Sequence, residues 1–392
     1  MSLPMPRPIG TDAGPEEPIR VLWLIKGLGP GGAERLLTML AEVRDRSSFE
    51  YEAAYLLRMK SDLVAELESL GVAVHCLDGH TEWNLGWAGR LRHLLLDRRF
   101  DVLHLHSPYV AGVARIVVRS LPRARRPAVV STDHVPWSGY ALPTRVLNAA
   151  TFRLDDEHIA VSSAVASSIP GRYRDRTRVV EHGIFVDRVR SLRVDRERAR
   201  AQLGVRPEEL LITTVANLRH QKGYPVLLRA ARRVLDAEPH VRFAAVGQGP
   251  LEGDLHRLHS ELGLGDRFRF LGYREDAAHI VAGSDLSVLA SHYEGLPLAL
   301  MESLALGVPV VATDVAGIRD AVRDGRDAIL VPPGRPSELA AALLTVIGDP
   351  SFRNRLAEAG AGEADRFDIR RAGRQIEATY QEMAASRRGD VR

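Results

Sequence analysis

Short apolar runs alternate with amphipathic helical stretches along most of the chain, and they do so in two rounds. The first round offers IRVLWLIK, EYEAAYLL, VAVHCL, DVLHLH, AVVSTDH, EHIAVS and TRVVEHG as strands, with AERLLTMLAEVRD and LVAELESLG among the helical stretches between them. From about Val186 to Val205 the alternation lapses into VDRVRSLRVDRERARAQLGV, read as a linker and lead-in helix. It then resumes with ELLITTVANL, VRFAAVG, RFRFLG, DLSVLAS, VPVVAT and DAILVP. Strands that alternate with helices build parallel sheets, because parallel neighbours need a crossover between them. At 392 residues the chain also exceeds what one hydrophobic core fills. Two doubly wound α/β domains are therefore expected, over residues 19–185 and 186–365, behind a polar, Pro-rich leader at 1–18. The last stretch, FDIRRAGRQIEATYQEMAAS, is a helix with no strand after it, at about 366–392.

Composition narrows the function mainly by exclusion. Fifty-three basic against 50 acidic residues leave a net charge of +3, too small an excess for a surface built to hold nucleic acid. The single cysteine, Cys76, falls on an expected strand and can make neither a disulfide framework nor a cysteine metal site. No apolar run approaches the roughly 20 residues that cross a bilayer, and the leader lacks the apolar core of a signal peptide. A cytoplasmic protein is the expectation. Lys26, Lys60 and Lys222 are the only lysines. Where arginine has replaced lysine so widely, a lysine that remains hints at a need for that side chain.

Two stretches carry chemistry. In KGLGPGGAERLL, after the first strand, Gly27, Gly29 and Gly32 match G-x-G-x-x-G, which suggests a dinucleotide. The second strand, however, ends in Leu57, Arg58 and Met59, where a nicotinamide fold wants an acid for the ribose hydroxyls. The turn remains readable either as a tight strand-to-helix connection or as a seat for an anion at a helix N-terminus. In HYEGLPLALMESLALG, Pro297 suits the first helical position and Gly307 the stop, so the helix is expected from about Leu296 to Leu306. The free amides of Leu298 and Ala299 would then seat a diphosphate. Glu294 precedes that seat and Glu302 lies in the second turn. The two acids can serve a ligand with hydroxyls on both sides of a diphosphate, which is the shape of a nucleotide sugar. Read singly, each has an alternative, a dipole-compensating acid and a solvated helix position.

The whole stretch resembles the E-x7-E motif of retaining GT-B glycosyltransferases of family 4, the group 1 class. The likeness continues through VPVVATDVAGIRDAVRDGRDAILVPPG, NLRHQKGYPVLLRA, VGQGPL, FLGY and the N-terminal GGAERLL. It spans most of residues 20 to 345, in family order. The resemblance implies two Rossmann-like domains facing across a deep cleft, the C-terminal helix returning to the N-terminal domain, acceptor on the first domain and nucleotide-sugar donor on the second. It implies that Lys222 and an arginine just upstream hold the diphosphate. Here Asn217 stands where the arginine usually does, and Arg219 follows two residues later. Glu294 would hold the transferred sugar, Glu302 the ribose, and Gly295, Leu296, Pro297 and Leu298 the backbone cradle. Gly31 and Gly32 would approach the donor phosphates, Tyr273 the base, and His134 the anomeric centre. His104 is read as packing and His106 as cleft lining. His182, in VVEHGIFVD, replaces a usual asparagine.

The expected activity is transfer of a hexosyl-type sugar, with retention, to a small-molecule, glycan or lipid-linked acceptor in glycoconjugate or natural-product biosynthesis. No cofactor is expected beyond the donor substrate. The chain has no Asp-x-Asp for a metal-bridged diphosphate, so no metal is expected either. A nucleotide-sugar epimerase of the same architecture and a nicotinamide oxidoreductase are the alternatives. ARIVVRSLPRARRP carries Arg115, Arg119, Arg123, Arg125 and Arg126 without an acid. It is read first as a solvated helix end and second as a peripheral contact with anionic lipid.

Overall fold

The computed structural model describes residues 17–81 and 84–390, with side chains to 387. The expected leader lies outside the described residues up to residue 16. All thirteen expected strands form. The first seven are β1 (Ile19–Ile25), β2 (Phe49–Tyr55), β3 (Ala73–Cys76), β4 (Val102–Leu105), β5 (Ala128–Asp133), β6 (Glu157–Ala160) and β7 (Thr177–Val179). They make one parallel sheet in the order β3-β2-β1-β4-β5-β6-β7. The remaining six are β8 (Leu210–Val215), β9 (Val241–Val246), β10 (Phe268–Phe270), β11 (Leu286–Leu289), β12 (Val310–Thr313) and β13 (Ile329–Val331). They make a second parallel sheet, β10-β9-β8-β11-β12-β13.

Helices cover both faces of each sheet, which is why the central strands are continuous apolar runs: Val21, Leu22, Trp23 and Leu24 are all fully buried. Each sheet reverses its strand order once, between β1 and β4 in the first and between β8 and β11 in the second. Loops at the carboxyl ends of such switch points form the ligand crevice of this architecture. The sequence features singled out above lie there, after β1, β8 and β11.

The stretch between the sheets is more structured than a linker. It forms helices Val186–Ser191 and Arg196–Leu203 around a short 3-10 turn. From that turn Arg193 donates to the carbonyls of Leu306 and Ala305, each at 2.9 Å, closing the C-terminal end of the Glu302 helix with a cation. The last helix, Ile369–Asp390, packs on the first sheet. Ile369, Ala372, Ile376 and Tyr380 are buried with Trp23 and Val21.

Candidate active site

The helix after β11 runs from Leu298 to Ala305, two residues later than expected, and Pro297 is its extended N-cap residue, not its first helical one. Leu296 is buried in the core, so it can offer a ligand only its backbone. The half-turn before the helix is held against the loop after β8. Gln221 donates from Nε2 to Tyr293 O at 2.9 Å, and His292 N donates to Gln221 O at 2.8 Å. Gly223 carries φ of 64°, and a Cβ there would stand 2.0 Å from Ala290 O. Only glycine fits the turn that brings these loops together.

That brace delivers Lys222 to Glu294. Lys222 Nζ lies 2.5 Å from Glu294 Oε1, and Ser291 Oγ donates to the same oxygen at 2.6 Å. Glu294 is 5% exposed. Glu302, one helix turn deeper, is half-buried; burial pushes its carboxyl up to about 7, partly offset by Arg35 from the opposite unit. Arg35 is itself paired with Glu66 at 2.6 Å.

The first unit closes over this seat from the loops after β1 and β5. Gly32, after β1, faces Leu298 closely enough that a Cβ would touch it at 3.8 Å. Gly31 is the N-cap of helix Gly32–Val43. Glu34, in the first turn of that helix, has its carboxyl raised by burial, against the pull of its own backbone amide, Lys60 and Arg219. Arg219 is exposed in the loop after β8, its amide bonded to Asn217 O at 2.7 Å. Gly295 meets the loop after β5 without a gap, since a Cβ there would stand 1.9 Å from His134 O. Gly317 backs Gly295 from the other side, and Tyr293 lies against Gly139. Tyr273 is 39% exposed beside Gly272, whose carbonyl accepts from Gly247 N at 2.8 Å.

His134 heads a row of imidazoles. Its ring centroid lies 5.5 Å from that of His106 and 6.5 Å from that of His182, and His106 lies 4.1 Å from His104. His104 packs as expected, fully buried between Tyr380 and Thr132. His106 does not line the cleft. At 4% exposure it stands behind His134, bonded to it. Burial holds His106 and His134 well below the usual imidazole range and pushes His182 down to about 4.

The arginine-rich stretch needs a correction. Arg115 is 1% exposed and forms a bidentate pair with Asp155 at 2.7 Å, with further bonds to Asn148, Thr151 and Ser131. It therefore cannot touch a lipid surface. Arg119 and Arg126 donate to the carbonyls of Leu154, Leu121 and Arg119, where the helix Pro108–Arg119 ends. Among the described residues no helix is long and apolar enough to cross a membrane.

Sequence reasoning missed Ser291, Gln221, Glu34, Arg35 and Gly317. Glu34, Arg35, Gln221 and Gly317 fall inside the family-like stretches, and that position was their signal; Ser291 had none.

Residues 30–188 match the model described as Glycosyltransferase Family 4, and residues 195–363 the model described as Glycosyl transferases group 1. The chain is 30% identical over 307 residues to a phosphatidyl-myo-inositol mannosyltransferase of Mycobacterium leprae, covering 76% of this chain and 77% of that one. It is 31% identical over 195 residues to the alpha-D-kanosaminyltransferase of Streptomyces kanamyceticus, covering 48% and 50%. It thus spans about half the length of the first curated relatives it matches. Among solved structures, Anabaena HepE in complex with UDP-glucose superposes with a TM-score of 0.80 at 25% identity, covering 93% of this chain and 100% of that one.

Proposed function

Because the chain belongs to the family 4, group 1 class of GT-B glycosyltransferases, we propose that it moves a hexosyl-type sugar from a nucleoside-diphosphate sugar to an acceptor hydroxyl, with retention and without a metal ion. The observation that carries this reading is the Lys222–Glu294 pair, set before the N-terminus of helix Leu298–Ala305 and opposite the Gly31–Gly32 loop. A cation, an acid and the start of a helix brought together are groups that a diphosphate with a sugar attached can use.

In this reading the diphosphate sits on Lys222, Arg219 and the amides of Leu298 and Ala299. Glu302 takes the ribose, Glu294 the hydroxyls of the moving sugar, and backbone around Tyr273 the base. As the bond from the anomeric carbon to phosphate breaks, charge grows on the leaving oxygen. Preorganised cations and amides lower the barrier because they bind that charge more strongly than the ground state. The acceptor attacks the same face, and a departing phosphate oxygen takes its proton. The absence of Asp-x-Asp from the sequence supports metal independence. The acceptor, whether small molecule, glycan or lipid-linked, is assigned to residues 19–185 with helix Ile369–Asp390, and the donor to 186–365.

The test is a panel of UDP-, GDP- and ADP-sugars, with thermal stability and product formation read together, since a ligand of the native state raises apparent stability. UDP-glucose is the first member to try, because HepE is held with it. Stabilisation by one nucleoside diphosphate, and a product whose anomeric proton coupling matches the donor's, support the reading. Sugar isomerised without acceptor indicates the epimerase, an absorbance change with nicotinamide the oxidoreductase, and no stabilisation by any nucleotide overturns the proposal.

A further inference from the structure

The row of histidines behind His134 fixes more than packing, because its hydrogens can be assigned from what each partner is able to donate. Trp23 Nε1 can only donate, and it lies 3.1 Å from Tyr380 OH. Tyr380 therefore accepts there and gives its own hydrogen to His104 Nδ1, at 2.5 Å. His104 then carries its proton on Nε2, directed at Thr132 Oγ1 at 2.7 Å. Both nitrogens of His104 are thus committed, and it meets His106 only ring to ring.

His106 has one partner to satisfy. Its Nδ1 lies 3.3 Å from His134 Nε2, while its Nε2 is buried with no hydrogen-bond partner among the described residues. An imidazole with one hydrogen has two ways to arrange this contact. If His134 donated, the hydrogen of His106 would sit on Nε2 as a buried N–H with no acceptor. If His106 donates from Nδ1, only a lone pair is left unpaired. Buried orphan donors are the rarer and costlier defect. The second arrangement prevails, and it leaves His134 with a filled Nε2 lone pair and its hydrogen on Nδ1.

We propose that His106 is a positioning residue for the transfer reaction: by donating to His134 Nε2 it makes His134 a hydrogen-bond donor through Nδ1 and denies it the role of base towards the acceptor. The proposal rests on the glycosyltransferase reading for its consequence, though not for its geometry. A second proton on His134 would put two N–H groups face to face across the 3.3 Å contact, and burial already disfavours a charge on either ring. In the transfer step the acceptor's O–H bond breaks as its oxygen bonds to the anomeric carbon, and the bond from that carbon to phosphate breaks. With His134 closed to it, the proton goes to the departing phosphate oxygen, and His134 Nδ1–H is left to hold a hydroxyl of donor or acceptor.

Long-range proton–nitrogen correlation spectra of protein labelled at its imidazole nitrogens report the tautomer of His134 without substrate. The wild type should show His134 protonated at Nδ1 alone. His106→Phe keeps a flat ring but cannot donate, and should shift His134 towards the Nε2–H form. It should also lower kcat about tenfold, the scale of one misplaced hydrogen bond, while leaving nucleoside diphosphate affinity unchanged. His106→Asn, whose amide can replace Nδ1–H, should restore the wild-type spectrum and bring kcat to within about threefold of wild type. An Nε2–H or doubly protonated His134 in the wild type, or a His106→Phe enzyme with normal kcat, overturns the proposal. If the wild type transfers no sugar from any nucleotide donor, the reading of function fails, and the wild-type spectrum still decides the tautomer.

Discussion

Lys222 Nζ stands 2.5 Å from Glu294 Oε1, 72 residues along the chain, so the cation assigned to the donor's phosphates and the acid assigned to its sugar are hydrogen-bonded to each other. Neither group is a bare charge waiting in the crevice. Removing the cation should therefore act twice, on stability and on transfer. Lys222→Ala leaves the buried Glu294 without its counter-charge and should cost about 2–4 kcal/mol in chemical denaturation. Adding Glu294→Gln should recover most of that stability while transfer stays at least ~100-fold down, as for loss of one oxyanion donor. Recovery of activity along with stability would contradict the role of Lys222 at the phosphates.

The two glutamates should fail differently. Glu302→Ala should weaken the bare nucleoside diphosphate by about 1.5–3 kcal/mol in calorimetry, the scale of a lost charge-assisted hydrogen bond. Glu294→Ala should leave that affinity nearly unchanged and lose transfer, since contacts that tighten as the sugar ring flattens act on the transition state. Equal losses of diphosphate affinity in both variants would return Glu294 to the reading of a helix-start acid.

Glu302 should also give the protein a pH dependence. Its carboxyl is raised from 4.5 to about 7 by burial, so its contribution to stability is full below pH 4.5 and is lost as pH rises through 7. In thermal scans Glu302→Gln should match the wild type at pH 4 and exceed it at pH 8, the gap opening mainly between those limits. Ribose hydroxyls need a carboxylate to accept them, so wild-type affinity for a nucleoside diphosphate should rise from pH 6 to 8 more steeply than that of the variant. Parallel curves would place Glu302 in water.

Gly295→Ala tests the contact between the two units. The added methyl would overlap His134 O, which leaves no room to rotate away. Loss of about 1–3 kcal/mol, typical of overpacking, should come with a fall in kcat, because the sugar seat and His134 can no longer meet. An alanine variant with normal turnover would show that the units do not approach this closely during the reaction.

Arg115→Met should destabilise the first unit by about 3–5 kcal/mol, because it leaves Asp155 buried without its partner. His158, bonded to both Asp155 and Asp133, belongs to the same network. A variant as stable as the wild type would contradict this network.

That arginine shows where the sequence stopped being legible. Buried parallel strands betray themselves locally, as runs of Val, Ile, Leu and Ala, and all thirteen could be read for that reason. The Glu294 and Lys222 motifs were equally local. Burial of Arg115 depends on Asp155, 40 residues away; without that partner, five arginines near a helix end read as surface. The same holds for His106, which looks like a cleft residue from its place at a strand end and is buried behind His134, 28 residues along the chain. Pairings made across the fold leave no mark in the spacing of either partner.

The helix Ile369–Asp390 has a consequence for how the protein is made. Tyr380 supplies the partner of Trp23 Nε1 and of His104 Nδ1, so the first sheet, translated earliest, keeps two unmet polar groups in its interior until residue 380 has emerged from the ribosome. The second sheet has its last strand by Val331, so its strands can pair before residue 380 appears. The unit begun first is completed last, and through that interval its exposed face must be shielded from other nascent chains.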